Sequence, residues 1–394
     1  MSTPNPKQIP CPHCGNNPVN HRLMYLNEFL EQVISPYTRL MEKIESKVTK
    51  KLVHVFLTPW IYLAKAFGVW RYHSDKSRTP SERSHVIWEE AEKRGIPMEG
   101  VEVWGRAIEQ HRAKVGNRWY HFESLPIPPQ FRHETFARFD SKAHLKEFLL
   151  SHRLPTAYGG PITTYDQALE IFRTGTAPFI IKPRSGSRGR HTTTHIYTEA
   201  DLRRAYDIGK QLSHFLLMEE HLVGSVYRGT YIGGEIVGNL RGDPPRVTGD
   251  GVSTLSMLIV KKNAARLPRV KEFVMKPESL LFLMRQRYAP DTVLSAGVTI
   301  DLTEKVGLSY GGYSEEMIGD THPEIVRILK AAGDAMGTPI VGFDFIIPDA
   351  TKDPHGQRWG IIEANMNPFI ELHHFPLVGE PINVAAKVWD MWKK

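Results

Sequence analysis

"IIEANMNPFIELHH", residues 361–374, decides how this chain reads. Two apolar β-formers, Ile361 and Ile362, run into Glu363; Asn365 follows after one residue, and Pro368 ends any strand pairing. Residues two apart in a strand share a face, so a carboxylate and an amide stand side by side at the end of a buried strand. The segment "PIVGFDFII", residues 339–347, carries a matching oddity, because Asp344 lies in the middle of an otherwise apolar strand. An ionised carboxylate is costly there unless it is paired or bound to a cation. If the two strands are neighbours, Asp344, Glu363 and Asn365 converge as three hard oxygen donors, with room left for water and phosphate. Such a set suits Mg²⁺, with Mn²⁺ as its substitute. A salt bridge from Asp344 to an arginine is the structural alternative.

Two upstream stretches ask for a phosphate and a flat ring. In "FIIKPRSGSRGRHTTT", residues 179–194, a short apolar strand delivers Lys182, Pro183 ends pairing, and Ser185, Gly186, Ser187 and Gly189 form a loop whose backbone N–H groups can approach a phosphate. It is not a Walker A loop, since no Gly-Lys-Ser/Thr precedes a helix; a Gly/Ser hairpin with a surface lysine is the competing reading. In "HFLLMEEHLVG", residues 214–224, a strand passes into Glu219, Glu220, His221 and Leu222 before Gly224 breaks it. A strand leaving its sheet offers both an apolar wall and adjacent backbone donors and acceptors, which is what a purine slot needs. Alone, it is equally a strand end with solvated acids.

The chain has 394 residues, 41% hydrophobic and 24% charged, as expected of a globular protein of two or three structural units. Its formal charge of +7 is concentrated at one end: residues 1–80 hold eleven Lys and Arg against five acids. A basic segment of this kind suits attachment to an anionic surface; no nucleic-acid partner is expected. With only two cysteines and no signal peptide, no disulfide framework is expected and a cytoplasmic location is the default. The stretch "LVHVFLTPWIYLAKAFGVW", residues 52–70, is about as long as a membrane span, but His54, Pro59 and Lys65 interrupt it. It reads first as a buried or docking helix, and second as a helix lying on the membrane surface, with peripheral contact through residues 43–71. Cys11 and Cys14 are half of a zinc knuckle that His13 or His21 could extend. A closed Zn²⁺ site needs four ligands, however, and there is no second cysteine pair. A redox pair and two solvent-exposed thiols are the other readings.

Apolar residues from Leu23 to Val48 recur every three or four positions, a helical period that Pro36 interrupts. The polar "DKSRTPSERS", residues 75–84, reads as a linker. Beyond it "SHVIWEEAEKRGI" is a capped helix and "RWYHFESLPIPP" a strand entering a rigid turn. Then follow a helix near 141–151, a strand at 178–182, a helix at 199–212, a strand at 215–219 and a strand pair at 226–240. A helix near 322–336 and strands at 339–347 and 359–363 complete the succession. The class is α+β.

In order and spacing, "IKPRSGSRGR", "LMEEHLVGSVYRG", "RVTGDGVSTL", "LSYGGYSEE", "THPEIVRILKAAGDAMGTPIVGFDF" and "IIEANMNP" together resemble the ATP-grasp ligases, in the branch of cyanophycin synthetase and the bifunctional glutamate–cysteine ligase/glutathione synthetase. The resemblance covers roughly residues 135–390. It implies an ATP-grasp domain over 136–394, two α+β subdomains enclosing the nucleotide, behind a short preceding element at 81–135 and an N-terminal helical extension at 1–80. It also implies ATP and Mg²⁺, carboxylate and amine substrates drawn from amino acids or peptides, and self-association. Carried over by position, Lys142 in "FDSKAHLKEFL" and Lys182 contact the nucleotide, and Glu219, Glu220 and Leu222 hold adenine largely through backbone groups. Arg228 and Arg241 lie near the transferred phosphate and the substrate carboxylate, and Asp344, Glu363 and Asn365 bind the metal. Two departures stand out. Val226 replaces an acidic residue that could hold the ribose, and Phe369 replaces a glycine after Pro368. These departures give some weight to an alternative reading, a nucleotide-sensing binding protein docked by its basic N-terminal segment.

Overall fold

A computed structural model describes residues 11, 13–14, 19–26, 28–30, 69–131, 139, 142–184 and 190–393. The stretch at 52–68 and most of the periodic segment at 23–48 lie outside the described residues; within that segment, residues 23–26 and 28–30 are helical. Among the described residues no helix is long and apolar enough to cross a membrane.

An antiparallel sheet runs in the order β1 (Trp70–His73), β2 (Met98–Val103), β3 (Arg106–Val115) and β4 (Arg118–Glu123), with α1 (Glu82–Lys93) between β1 and β2 in sequence. The polar stretch 75–84 is structured rather than a bare connector. Asp75 accepts from Ser77 N at a 3₁₀ turn, and Ser81 accepts from Ser84 N to start α1. The side chains that make this stretch look like a linker are the ones that satisfy free helix N–H groups.

Next come α2 (Lys142–Ser151), β5 (Gly159–Ile162), α3 (Tyr165–Thr174), β6 (Phe179–Pro183), β7 (Thr193–Ile196), α4 (Glu199–Lys210) and β8 (Leu216–Glu220). The strands pair antiparallel in the order β5-β8-β6-β7. Phe179, Ile181, Leu216 and Met218 are buried with Ala168 of α3 and with Leu202 and Ala205 of α4.

The last block holds β9 (Ser225–Ile232), β10 (Glu235–Asp243), β11 (Arg246–Thr248), α5 (Leu255–Ala264), α6 (Pro277–Arg285), β12 (Thr299–Asp301), β13 (Tyr313–Glu316), α7 (Pro323–Met336), β14 (Ile340–Ile347), β15 (Gly360–Asn365), α8 (Glu371–His374) and α9 (Val384–Asp390). Its main sheet has the order β13-β10-β9-β14-β15, antiparallel throughout. Along β14, Val341, Phe343, Phe345 and Ile347 alternate into one core with Ile325 and Leu329 of α7. Gly342 and Asp344 therefore face the other way.

The segment that follows Pro368 is clamped to this sheet. Fully buried His373 has Nδ1 2.5 Å from Glu316 Oε2 and Nε2 2.7 Å from Thr230 Oγ1. Glu316 Oε1 also accepts from the backbone N–H groups of Asn239 and Ile318. His374 Nε2 accepts from Ala385 N at the start of α9; burial, chiefly, lowers its pKa to about 4, which keeps that nitrogen free to accept. Both histidines shape the loop through the framework beneath it. His373→Ala strands Glu316 and Thr230 in the core. It is expected to cost about 2–3 kcal/mol in denaturant unfolding, with an unchanged m-value.

Candidate nucleotide and metal site

Strand register lines up three ionic side chains. Arg228 on β9 pairs with Asp344 on β14, and Asp344 pairs with Glu363 on β15, so the row crosses three adjacent strands on the face turned away from Phe343 and Phe345. Two residues along, Gly342 faces Asn365, whose Nδ2 lies 3.4 Å from Asp344 Oδ2. A bulge between Asp344 and Phe345 bends the strand at this point. A Cβ on Gly342 would come 2.8 Å from Pro368 Cβ, so only glycine lets the Pro368 turn lie across the row.

Arg228 grips Asp344 with a fork, Nε to Oδ1 at 2.7 Å and Nη2 to Oδ2 at 2.8 Å. Burial penalises the guanidinium charge, but Asp344 outweighs it and raises the Arg228 pKa, with Glu363 and Glu371 adding to the effect. The arginine pair and the cation site, alternatives in the sequence, thus share one row. Asp344 Oδ1 keeps a lone pair beyond its bond to the arginine, while Oδ2 also receives Asn365 Nδ2.

A second charged centre stands on the neighbouring subdomain. Glu219 on β8, 7% exposed, receives Lys146 Nζ at 2.6 Å and Lys182 Nζ at 2.7 Å. Burial pushes this carboxyl up, but Lys182 and Lys146 together outweigh it and hold it below the ordinary range. A cleft beside this centre is lined by Lys142, Lys146, Lys182 and Glu219, with Leu217 and Ile361 among its apolar walls. Lys142 Nζ lies 3.6 Å from Glu363 Oε1. Three lysines against one carboxylate leave the cleft positive, ready for a polyanion.

Not every expected residue joins. Arg241 pairs with Tyr227, the strand neighbour of Phe345, so it points to the opposite face from Arg228; its Nε bonds Asp243 Oδ2 at 2.8 Å and Ser225 Oγ at 3.1 Å. Strand alternation separates the two arginines that shared a role by position. Glu219 enters through its side chain rather than its backbone. Glu220 Oε1 accepts from Thr176 N, and its backbone N–H donates to Tyr158 O. Leu222 is buried just past the strand end. Ser185, Gly186, Ser187 and Gly189 lie outside the described residues, between Lys182 on β6 and His191 before β7.

Two residues were missed. Lys146 is one helical turn beyond Lys142, and that i,i+4 spacing was the available signal. Glu371 is 9% exposed, burial raises its pKa, and its Oε2 has no hydrogen-bond partner among the described residues. Nothing in "PFIELHH" marks it. Beside it, the Phe369 ring lies under two guanidinium groups, Arg83 at 5.1 Å and Arg228 at 5.9 Å.

Superposed on the crystal structure of a bifunctional glutathione synthetase from Pasteurella multocida, the chain gives a TM-score of 0.56 at 23% identity, over 79% of this chain and 44% of that one. The chain has the ATP-grasp fold. No family model matches it. In sequence it is similar to cyanophycin synthetase from Synechocystis sp., 29% identical over 259 residues, covering 64% of this chain and 30% of that protein. It is also similar to the glutathione biosynthesis bifunctional protein GshAB of Mannheimia succiniciproducens, 31% identical over 224 residues, covering 54% of this chain and 30% of that protein. The branch resemblance read from the motifs therefore holds, while this ATP-grasp chain spans about a third of the length of those relatives.

The lowered pKa of Glu219 has a pH signature. An acid depressed in the folded state contributes stability above its unfolded pKa and loses it as pH falls through the folded value. Glu219→Gln is expected to cost about 3 kcal/mol at neutral pH, measured by denaturant unfolding at stepped pH. That deficit should shrink as pH falls through and below the ordinary carboxylate range.

Proposed function

We propose that the chain is an ATP-dependent carboxylate–amine ligase that forms an amide through an acyl phosphate. One observation carries the reading: Lys142, which shares a positive cleft with the Lys146–Glu219–Lys182 centre, also reaches Glu363 of the Arg228–Asp344–Glu363 row at 3.6 Å. Triphosphate binding needs cationic groups on one side and a metal-competent oxygen cluster on the other. A substrate carboxylate oxygen attacks the γ-phosphorus, and the bond from that phosphorus to the β,γ-bridging oxygen breaks, releasing ADP. An amine nitrogen then attacks the acyl carbon; the carbon–oxygen bond to phosphate breaks, inorganic phosphate leaves and the nitrogen loses a proton.

Each side chain has a task in this scheme. Lys142, Lys146 and Lys182 hold phosphate oxygens, and Glu219 keeps the last two aligned. The oxygens of Asp344, Glu363 and Asn365 fit a small hard cation and would hold Mg²⁺, which supplies neutralisation of phosphate charge when bound. Arg228, already at the row, is placed for the transferred phosphoryl group; Arg241, on the other face, is left out. Glu371, a buried carboxyl with an unpartnered oxygen among the described residues and an electrostatic influence on Arg228, would receive the incoming amine. By family analogy the acid and amine are amino acids or peptides, and a cytoplasmic, self-associating enzyme fits the sequence; contact with a membrane through residues 43–71 belongs to the same reading. Zn²⁺ on Cys11 and Cys14 stands apart from this chemistry.

The bidentate hold of Arg228 on Asp344 favours the second reading, a nucleotide sensor that never transfers phosphate. Turnover separates the two. With ATP, Mg²⁺ and pooled amino acids, the ligase releases phosphate, and Asp344→Asn is expected to lower the rate by about 10²-fold or more; nucleotide binding without phosphate release would favour the sensor. Glu371→Gln is expected to raise KM for the amine by about tenfold with KM for ATP unchanged, in line with one lost charge-assisted hydrogen bond.

A further inference from the structure

The cysteine pair that ligase chemistry leaves unused meets two histidines in the fold. Cys11 Sγ and Cys14 Sγ each lie 3.4 Å from His191 Nε2, and Cys14 Sγ lies 3.1 Å from His21 Nε2. All four ligand atoms fall within 4.8 Å of one another. Zinc–sulfur bonds of roughly 2.3 Å and zinc–nitrogen bonds of roughly 2.0–2.1 Å give a tetrahedron a sulfur–nitrogen edge of roughly 3.6 Å. The three sulfur–nitrogen spacings found here are already close to that edge.

His191 is prepared for the task. It is 1% exposed, and its Nδ1 lies 2.7 Å from the Ile208 carbonyl oxygen. A carbonyl only accepts, so Nδ1 carries the hydrogen and the Nε2 lone pair is turned toward both sulfurs. Its backbone sits at φ 51°, a left-handed conformation uncommon outside glycine that is retained at the position where the ring must reach the pair. Cys14 N donates to Cys11 O at 3.1 Å, the tight turn of a metal knuckle, and Cys14 is buried rather than part of a solvent-exposed pair.

We propose that Cys11, Cys14, His21 and His191 form a closed structural zinc site that fastens the N-terminal segment to the chain just before β7. His191 was invisible to the sequence reading because it lies 177 positions from Cys14. Glu28 accepts from Ser213 Oγ at 2.5 Å and from His214 N at 2.7 Å, which gives the same segment a second attachment. A cross-link over so long a stretch removes much freedom from the unfolded chain. The site does not depend on the ligase reading.

Metal analysis of the full chain, purified without added metal, tests it. The expected result is one zinc per chain, reduced to about a tenth or less in Cys14→Ser and His191→Asn and retained in His13→Ala, whose ring neighbours His191 but supplies no ligand. If the ligand variants fail to fold, the parent chain decides: after chelation, titration with Co²⁺ should give tetrahedral visible bands and thiolate charge transfer saturating at one ion, and chelation should lower Tm. Zinc below about a tenth per chain with no thiolate–cobalt band, full zinc in His191→Asn, or a Cys11–Cys14 disulfide would overturn the proposal.

Discussion

A carboxylate in the middle of an apolar strand is the constraint around which this molecule is arranged. A carboxylate there needs a compensating partner, and Arg228 supplies the charge while Asn365 Nδ2 adds a longer contact. Arg228 lies across one ladder and Glu363 and Asn365 across the other. The pairing order β9-β14-β15 is therefore both a packing solution and a chemical one. One face of β14 sends Phe343 and Phe345 into the core while the other carries the charge. Gly342 keeps that face open for the Pro368 turn.

The second charged centre follows the same logic with the signs reversed. Glu219 is a buried acid that two lysines hold ionised, and it in turn prevents Lys146 and Lys182 from repelling one another. Because Lys146 comes from α2 and Lys182 from β6, the carboxylate ties a helix to a sheet while aiming both ammonium groups at the cleft. The His373–Glu316–Thr230 network plays the corresponding part under the loop after Pro368. Three ionic networks thus fix these side chains in place, as preorganised charge stabilisation requires. The Phe369 ring adds an aromatic surface near both Arg83 and Arg228.

Much of this could be read from the residues alone, for physical reasons. The α+β order, strands β6, β8, β14 and β15, and helices α4 and α7 all announce themselves through clear apolar periods or runs. The convergence of Asp344, Glu363 and Asn365 follows from period-2 alternation once β14 and β15 are neighbours. What escaped reading depends on register or on distance in the chain. Arg241 was grouped with Arg228, yet thirteen positions and a hairpin turn put it on the other face of the sheet. Strands β11 and β12, three residues each, are too short to show any period, and β2 and β3 mix charged and apolar residues. Lys146 could have been found from its spacing to Lys142. Glu371 and His191 could not, since their significance lies in what the fold brings beside them.

The most direct measurement is a crystal structure of the full chain with Mg²⁺ and a non-hydrolysable ATP analogue. The expected result is one ion coordinated by oxygens of Asp344, Glu363 and Asn365 at roughly 2.0–2.1 Å, phosphates against Lys142, Lys146 and Lys182, and Arg228 turned toward the γ-phosphate. An unaltered Arg228–Asp344 fork, with the ion and triphosphate bound elsewhere or not at all, would contradict it.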